Sequence, residues 1–264
     1  MLNTNPFAML SEVLSPFAMQ SFIIIMVVLI ALGTIIQMIN HKNLTYFLNN
    51  AKKAKLQATR EIGTSERVSI LAKTTVVDIG TTSELGFGKR RLSHVLGMYG
   101  TIIFWVSSAM LVFCYTGADK PSSSIWSMLW HIGAILTCIG GYWFWLFLRV
   151  DVSAEAHPWY RIIKADLFVL ALLACATFGL AWSYTQFNGQ VGLSFLFLTL
   201  FIISNLVLFG GVYWSKFAHM FYKPGAAIQK NLAEADGSRD NLPPLADAPK
   251  QFGLGIKREQ PKHY

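Results

Sequence analysis

Charged side chains are scarce in this sequence. Asp, Glu, Lys and Arg make up 14% of its 264 residues, while 53% are hydrophobic; an ordinary soluble domain has roughly 25% charged residues. A chain this poor in charge belongs to the membrane class. The scarcity argues against a soluble enzyme.

Cysteine is also rare. The three cysteines, Cys114, Cys138 and Cys175, form no CxxC pair, and each falls in an apolar run. Iron–sulfur clusters and structural zinc sites need clustered thiolates. The pattern therefore argues against both kinds of site in this chain.

What the sequence has instead is long apolar runs. A helix needs ~20 apolar residues to cross a bilayer, and five runs reach that length: 21–39, 95–116, 125–148, 165–184 and 191–214. They predict an all-α membrane protein, a five-transmembrane-helix bundle. Because the number of spans is odd, the termini lie on opposite sides of the membrane.

Lys and Arg are almost absent from one side of this predicted bundle. Of 22 basic residues, 21 fall after spans one, three and five, and only Lys120 lies on the other side. Cytoplasmic segments retain positive charge, so we expect the N-terminus outside, the C-terminus inside and a multi-pass protein of the bacterial inner membrane. Anionic lipid explains the net charge of +8 more simply than nucleic acid does.

Five regions follow from this topology. Residues 1–20 form an outer interfacial segment, 21–39 the first transmembrane helix, 40–93 a cytoplasmic loop, 94–219 a four-helix region and 220–264 a cytoplasmic tail. The tail stretch "DGSRDNLPPLADAPK" favours an extended chain, either disordered or ordered only against a partner. Apolar side chains of the first region are expected among the lipid headgroups: Phe7, Met9, Leu10, Leu14 and Phe17. Tryptophans near the span ends are expected to form an aromatic belt: Trp126, Trp130, Trp143, Trp145, Trp159 and Trp214.

Two histidines are predicted at one membrane face. His94 lies in "KRRLSHVLGMYG", where span two begins, and His219 lies in "YWSKFAHMFYKP", where span five ends. Each is expected about one turn from a cytoplasmic helix end, where an ionisable side chain is a functional candidate. Two imidazoles facing each other across a bundle can hold a haem iron. Interfacial histidines beside a basic rim are the alternative.

Nearby residues suit a haem. Gly97 would let a porphyrin approach, and cationic side chains could pair with its propionates: Lys89, Arg90, Arg91, Lys216 and Lys223. No side-chain catalytic residue is predicted.

The segments "RRLSHVLGMYG" and "YWSKFAHMFYKP" resemble the five-helix cytochrome b family. This family includes the gamma subunit of respiratory nitrate reductase, the membrane part of the quinone-interacting membrane-bound oxidoreductase and membrane subunits associated with adenylylsulfate reductase. The resemblance covers roughly residues 92–229. It implies that His94 and His219 are the axial (metal) ligands of haem b.

The resemblance also implies a function. We expect a membrane anchor and electron-transfer subunit that links cytoplasmic adenylylsulfate reductase, or a similar iron–sulfur/flavin oxidoreductase, to the quinone pool in dissimilatory sulfur metabolism. Residues 96–113 and 191–213 contain no histidine, so one haem is expected and not two. No iron–sulfur domain is fused to this chain, so electrons would come from a separate protein.

Three points remain open at this level. A cofactor-free anchor that recruits the same reductase is the alternative function. A transporter fits less well, because transport spans usually carry mid-membrane charges, whereas Asp166 and Lys216 lie at span ends. Candidates for a quinone site are, on the inner side, Glu155, His157, Arg161 and Lys164 and, in reserve on the outer side, Tyr115 and His131.

Overall fold

The computed structural model describes residues 1–40, 42–85, 88–116, 124–150, 157–215, 217, 219–238, 251–252 and 256–257. The chain forms two compact units. The first comprises Met1–Gln37 and Leu92–Ala218, and the second Met38–Arg91 and His219–Tyr264. Each is described by itself.

The first unit is the membrane bundle. Within the described part of the chain, five helices are long and apolar enough to cross a bilayer: Pro16–Asn40, Lys89–Cys114, Ser124–Leu148, Lys164–Phe187 and Val191–Tyr213. The five-span, all-α prediction is therefore confirmed. A short helix precedes them, and the elements are α1 (Pro6–Leu10), α2 (Pro16–Asn40), α5 (Lys89–Cys114), α6 (Ser124–Trp143), α7 (Leu167–Phe187) and α8 (Val191–Gly210).

The span ends depart from the predicted ones because backbone hydrogen bonding continues where apolar side chains stop. The helix α5 begins at Lys89, within the basic run. The third span closes in a π-helical turn, Phe144–Leu148, and the fifth in a 3-10 turn, Gly211–Tyr213. The fourth opens with a 3-10 turn at Lys164–Asp166.

Glycines allow α5 and α6 to approach closely. A methyl group added at Gly140 would lie 2.5 Å from the backbone nitrogen of Gly97, and one added at Gly133 would lie 2.5 Å from that of Phe104. The hydroxyl of Ser93 donates to the carbonyl of Gly140 at 2.7 Å. Small residues at a helix interface permit such backbone contact in membranes.

Aromatic side chains fill the core near α1. Trp130 and Trp182 are almost completely buried, and the Phe7 ring lies edge-on to both, with centroids 5.9 and 5.4 Å away. Two sequence interpretations are thereby corrected. Phe7 and Leu10 are buried against protein and do not lie in headgroups, whereas Met9, Leu14 and Phe17 are exposed.

The aromatic-belt interpretation is also wrong for Trp130 and Trp145, which are buried; Trp159 and Trp214 are exposed as expected.

The second unit consists of α3 (Asn43–Gln57), α4 (Thr64–Lys73), a π-helical segment (Thr74–Gly80), α9 (His219–Ala235) and an antiparallel pair of two-residue strands, β1 (Gln251–Phe252) and β2 (Ile256–Lys257). The helix α9 differs from the expectation of an extended tail. Most of the stretch "DGSRDNLPPLADAPK" lies outside the described residues.

A polar cluster ties α9 to the π-helical segment in this unit. The Asn231 amide donates to the Thr74 hydroxyl at 2.7 Å and to the Asp78 carboxylate at 2.8 Å. The Ser83 hydroxyl donates to the other Asp78 oxygen at 2.6 Å. These bonds from Ser83 and Asn231 to the charged form lower the pKa of Asp78.

Candidate functional site

His94 lies in the second turn of α5 with an exposed side chain. Its neighbour Ser93 is buried against Gly140. Successive residues on a helix lie 100° apart, so the imidazole projects away from the seam with α6. The His94 side chain is thus exposed at the surface of this unit.

Gly97 lies one turn beyond His94 in α5. A methyl group built on it meets nothing within 4 Å, so the surface beside His94 is open. This observation concerns the surroundings of His94 and not those of His219. The approach of a planar group at Gly97 stays a prediction.

His219 occupies a different local position from the one predicted. The fifth span ends at Tyr213, and His219 is the first residue of a separate helix, α9. The predicted fifth span, 191–214, also ends before His219, but the separate helix that begins at His219 was not predicted. Two glycines, Gly210 and Gly211, precede the end of the span, and they weaken helix continuation. Ligation by His219 stays a prediction, since His94 and His219 belong to different compact units.

The basic residues proposed for the propionates have varied surroundings. Arg91 donates through Nε to the Thr81 carbonyl at 2.8 Å and through its terminal nitrogen to the Thr81 hydroxyl at 2.7 Å. Arg90 is half-buried, Lys89 is exposed, and Lys216 lies outside the described residues. Arg91 has thus a structural partner that a propionate would have to displace.

A buried ion pair stands at the opposite end of the bundle from α1. Arg149, 1% exposed, pairs with Asp166 and donates to the carbonyls of Pro158 and Arg161 at 3.2 and 2.7 Å. Its guanidinium carbon lies 4.1 Å from the centre of the Trp145 ring. The Asp166 carboxylate also accepts from the Ile163 backbone nitrogen at 2.9 Å.

This arrangement fixes residues 157–166. Sequence reasoning placed Arg149 and Asp166 at span ends and missed their pairing. The available signal was an Arg closing one span and an Asp opening the next, since such charges in a membrane protein pair with one another.

The predicted inner quinone residues lie on this fixed connection. His157 is half-buried, and its backbone nitrogen donates to the Arg149 carbonyl at 3.0 Å. Within the described part of the chain its buried Nδ1 has no hydrogen-bond partner. Arg161 and Lys164 are exposed, and Glu155 lies outside the described residues.

His131 is a structural core residue. It is completely buried, and its ring nitrogens bond to the Ser127 carbonyl at 2.7 Å and the Ser183 hydroxyl at 2.8 Å. Because both nitrogens are satisfied by protein, His131 has no free position for a ligand. The other reserve candidate, Tyr115, is half-buried, and its carbonyl accepts from the Asn5 amide at 3.0 Å.

A cavity of about 310 Å³ lies among α1, α2, α5 and α8. Sequence reasoning did not find it, because it depends on how three spans diverge. Its lining is apolar apart from a few groups that include Trp105, Ser108 and Asn205.

Neither a search for metal-binding groups nor a comparison with known proteins gives further evidence about the site. Among the described residues, no group of three or more His, Cys, Asp or Glu side chains could hold a metal ion; a haem held by two histidines does not need one. No family model, curated protein or solved structure matches the chain.

Proposed function

We propose that this chain is a membrane anchor and electron-transfer subunit that links a cytoplasmic adenylylsulfate reductase, or a similar iron–sulfur/flavin oxidoreductase, to the quinone pool of a bacterial inner membrane. The observation that carries the proposal is the exposed imidazole of His94 on a membrane-spanning helix, beside open space at Gly97 and a basic helix start. The resemblance of the segments around His94 and His219 to five-helix cytochromes b supports it.

The proposed orientation is N-terminus outside and C-terminus inside. The distribution of 21 of 22 basic residues supports it. An alkaline phosphatase domain fused after Tyr264 should be inactive, and a green fluorescent protein at the same place should fluoresce. The reverse pair of results would refute the orientation.

One haem b is the proposed cofactor. His94 and His219 would supply its axial nitrogens, and Lys89, Arg90 and Lys216 are the candidates for its propionates. A haem with two protein ligands carries single electrons and has no open position for oxygen. Each histidine would need an acceptor for its second ring nitrogen.

Quinone is proposed to react near the proposed inner face. His157 supports this position, because its Nδ1 is buried without a partner among the described residues and the same connection carries exposed Arg161 and Lys164. An imidazole ring carries a nitrogen that can donate or accept a hydrogen bond, so His157 would bond to a quinone oxygen and exchange a proton with it. Arg149 and Asp166 would hold it in place through the backbone.

A cofactor-free anchor is the second candidate, and two observations favour it. His219 begins a separate helix instead of closing the fifth span, and Arg91 already bonds to Thr81. In this case His94 would be an interfacial side chain. The same reductase would bind, and electrons would bypass this chain.

The second unit is the proposed docking surface for the reductase. Its described residues expose large apolar side chains, among them Leu44, Tyr46, Leu48, Leu56 and Val68. Deleting residues 239–264 tests the tail, since α9 and the Asn231 cluster remain intact. We expect less reductase to co-purify, and unchanged recovery would remove the tail from the docking surface.

One experiment separates the two candidates. The full chain is expressed with haem available, together with adenylylsulfate reductase, and the complex is captured through the membrane chain. A reduced-minus-oxidised haem b spectrum at one haem per chain supports the electron-transfer subunit. Capture of reductase without haem favours the anchor, and no capture refutes both.

A further inference from the structure

We propose that the cavity among α1, α2, α5 and α8 binds one uncharged long-chain lipid whose head carries a carbonyl or hydroxyl oxygen. Its volume, about 310 Å³, lies at the lower end of the range for small-molecule sites. Each of the three spans lines it with residues three or four positions apart, such as Met19, Ile23, Met26 and Ile30 of α2. That spacing marks one face of a helix.

The lining is the reason for proposing an uncharged ligand. No Lys, Arg, Asp or Glu is among the residues that line the cavity. A phosphate headgroup would lose its water there without gaining a cationic partner, at a large cost in free energy. A hydrocarbon chain loses nothing, because the surrounding bilayer is equally apolar.

Two polar side chains in the lining, Trp105 and Asn205, can meet a ligand. The Trp105 indole nitrogen is buried without an acceptor among the described residues. The Asn205 amide nitrogen donates to its own helix at Phe201, and its carbonyl oxygen is a hydrogen-bond acceptor. Unpaired polar groups at membrane depth are costly, so a ligand oxygen that accepts from Trp105 or donates to Asn205 would stabilise the site.

Ser108 provides the contrast. Its hydroxyl donates to the Phe104 carbonyl at 2.8 Å and accepts from the Trp130 indole at 2.9 Å. It is therefore satisfied by protein. Trp105 and Asn205 offer one donor and one acceptor from two helices, and a single hydroxyl head can pair with both, whereas a carbonyl head can accept from Trp105 alone.

The helix α1 closes one end of the cavity. Phe7 and Leu10 line it while the Phe7 ring is held between Trp130 and Trp182. The Asn5 amide bonds to the Tyr115 carbonyl at the end of α5. A bound head group is thus covered on the α1 side. Binding requires neither haem nor a reductase, and the cavity is separate from the His157 segment.

The test uses the full chain in phosphatidylcholine nanodiscs and two photoreactive probes with the same twelve-carbon diazirine chain. One probe ends in an alcohol and the other in phosphocholine. Cross-linked residues are located by mass spectrometry, with unlabelled decylubiquinone as competitor. We expect the alcohol probe to label the cavity lining and decylubiquinone to displace it.

Matched variants locate the site. Ala109→Phe fills the cavity and should lower labelling of the lining at least tenfold, whereas Ala31→Phe adds the same ring at an exposed position of α2 outside the lining and should not. Trp105→Phe keeps an aromatic ring and removes the N–H, and should weaken binding about fivefold. This variant keeps the test valid if Ala109→Phe fails to fold.

Two results would overturn the proposal. Equal labelling of the lining by the alcohol and phosphocholine probes would identify an ordinary phospholipid contact. If the alcohol probe labels Ala109→Phe and Trp105→Phe as strongly as the wild type, the probe binds to the general lipid-facing surface and not to the cavity. Loss of haem or of reductase capture would leave the labelling pattern unaffected, so the two proposals fail separately.

Discussion

Arg149 and Asp166 form an ion pair across the connection between the third and fourth spans. The side chain of Arg149 is 1% exposed and that of Asp166 11%. The guanidinium also holds two backbone carbonyls of the same connection, and the carboxylate holds a backbone nitrogen. One pair of side chains therefore organises the segment that contains His157.

Asp166→Ala should destabilise the bundle strongly. The change leaves the buried Arg149 without its counter-ion, and breaking a buried pair in this way costs about 3–5 kcal/mol. Unfolding of the purified protein in detergent would measure the loss. Lys164→Ala, at an exposed position two residues away, is the control and should change stability by less than about 0.5 kcal/mol. Equal effects of both variants would show that the pair contributes nothing.

Phe7→Ala should release α1 from the bundle. The Phe7 ring is 7% exposed, and removing a buried phenyl group costs about 3–5 kcal/mol, here mostly in the local opening of α1. Hydrogen exchange of the amides of residues 7–10 should therefore accelerate, while that of α6 and α7 stays slow. Phe17→Ala is the control, because this ring is 78% exposed. Unchanged exchange in Phe7→Ala would mean that Asn5 alone holds α1.

The lengths of the apolar runs predict the number of spans and their approximate positions. Each of the five spans follows from a run of apolar residues, since a helix is the local way to satisfy backbone groups in lipid. The ends of those spans depend on contacts between distant residues. Arg149 and Asp166 are 17 positions apart, and Phe7 meets Trp182 far along the chain.

The same distinction separates His94 from His219. His94 follows a strong helix signal, and its position in α5 agrees with the prediction. His219 follows a stretch with two glycines and an aromatic cluster, where Phe217 is buried and stacks on Trp105 at 5.8 Å. The apolar run 191–214 predicts the end of the span at Tyr213 to within one residue, whereas hydropathy contains no signal for the new helix that begins at His219.

Gly140→Ala should separate α5 from α6. The new methyl group would lie 2.5 and 2.6 Å from backbone atoms of Gly97 and Ser93, so a helix must shift, at a cost of about 1–3 kcal/mol. The unfolding midpoint in detergent measures the loss. Gly192→Ala is the matched control, because a methyl group there meets nothing within 4 Å. A Gly140 variant as stable as the Gly192 variant would refute the close contact.

The second unit should lose stability in acid through Asp78. Hydrogen bonds from Ser83 and Asn231 lower the pKa of this carboxyl from its ordinary value of 3.8. A lowered folded-state pKa means that the unfolded chain binds the proton more tightly, so the contribution is complete above the ordinary value. It falls as pH drops below about 4 and is lost below the folded-state pKa.

The variant Asp78→Asn should remove this component of the pH dependence. Exchange of α9 amides between pH 3 and 6, corrected for intrinsic exchange rates, would measure it. Glu61→Gln, at an exposed site in the same unit, should retain the wild-type profile. Identical profiles for Asp78→Asn and the wild type would assign the acid sensitivity to other groups.

His94→Ala and His219→Ala should each abolish the haem b spectrum if the proposed electron-transfer function holds. Neither change touches the apolar runs, so all five spans should still insert, as protease accessibility of a C-terminal tag would show. His157→Ala is the control and should keep the haem spectrum while lowering quinone-linked turnover. Loss of haem from the His94 variant alone would identify a different second ligand, consistent with the position of His219 at the start of α9. Full haem content in the His94 variant would refute the site, because no other histidine on α5 could replace it.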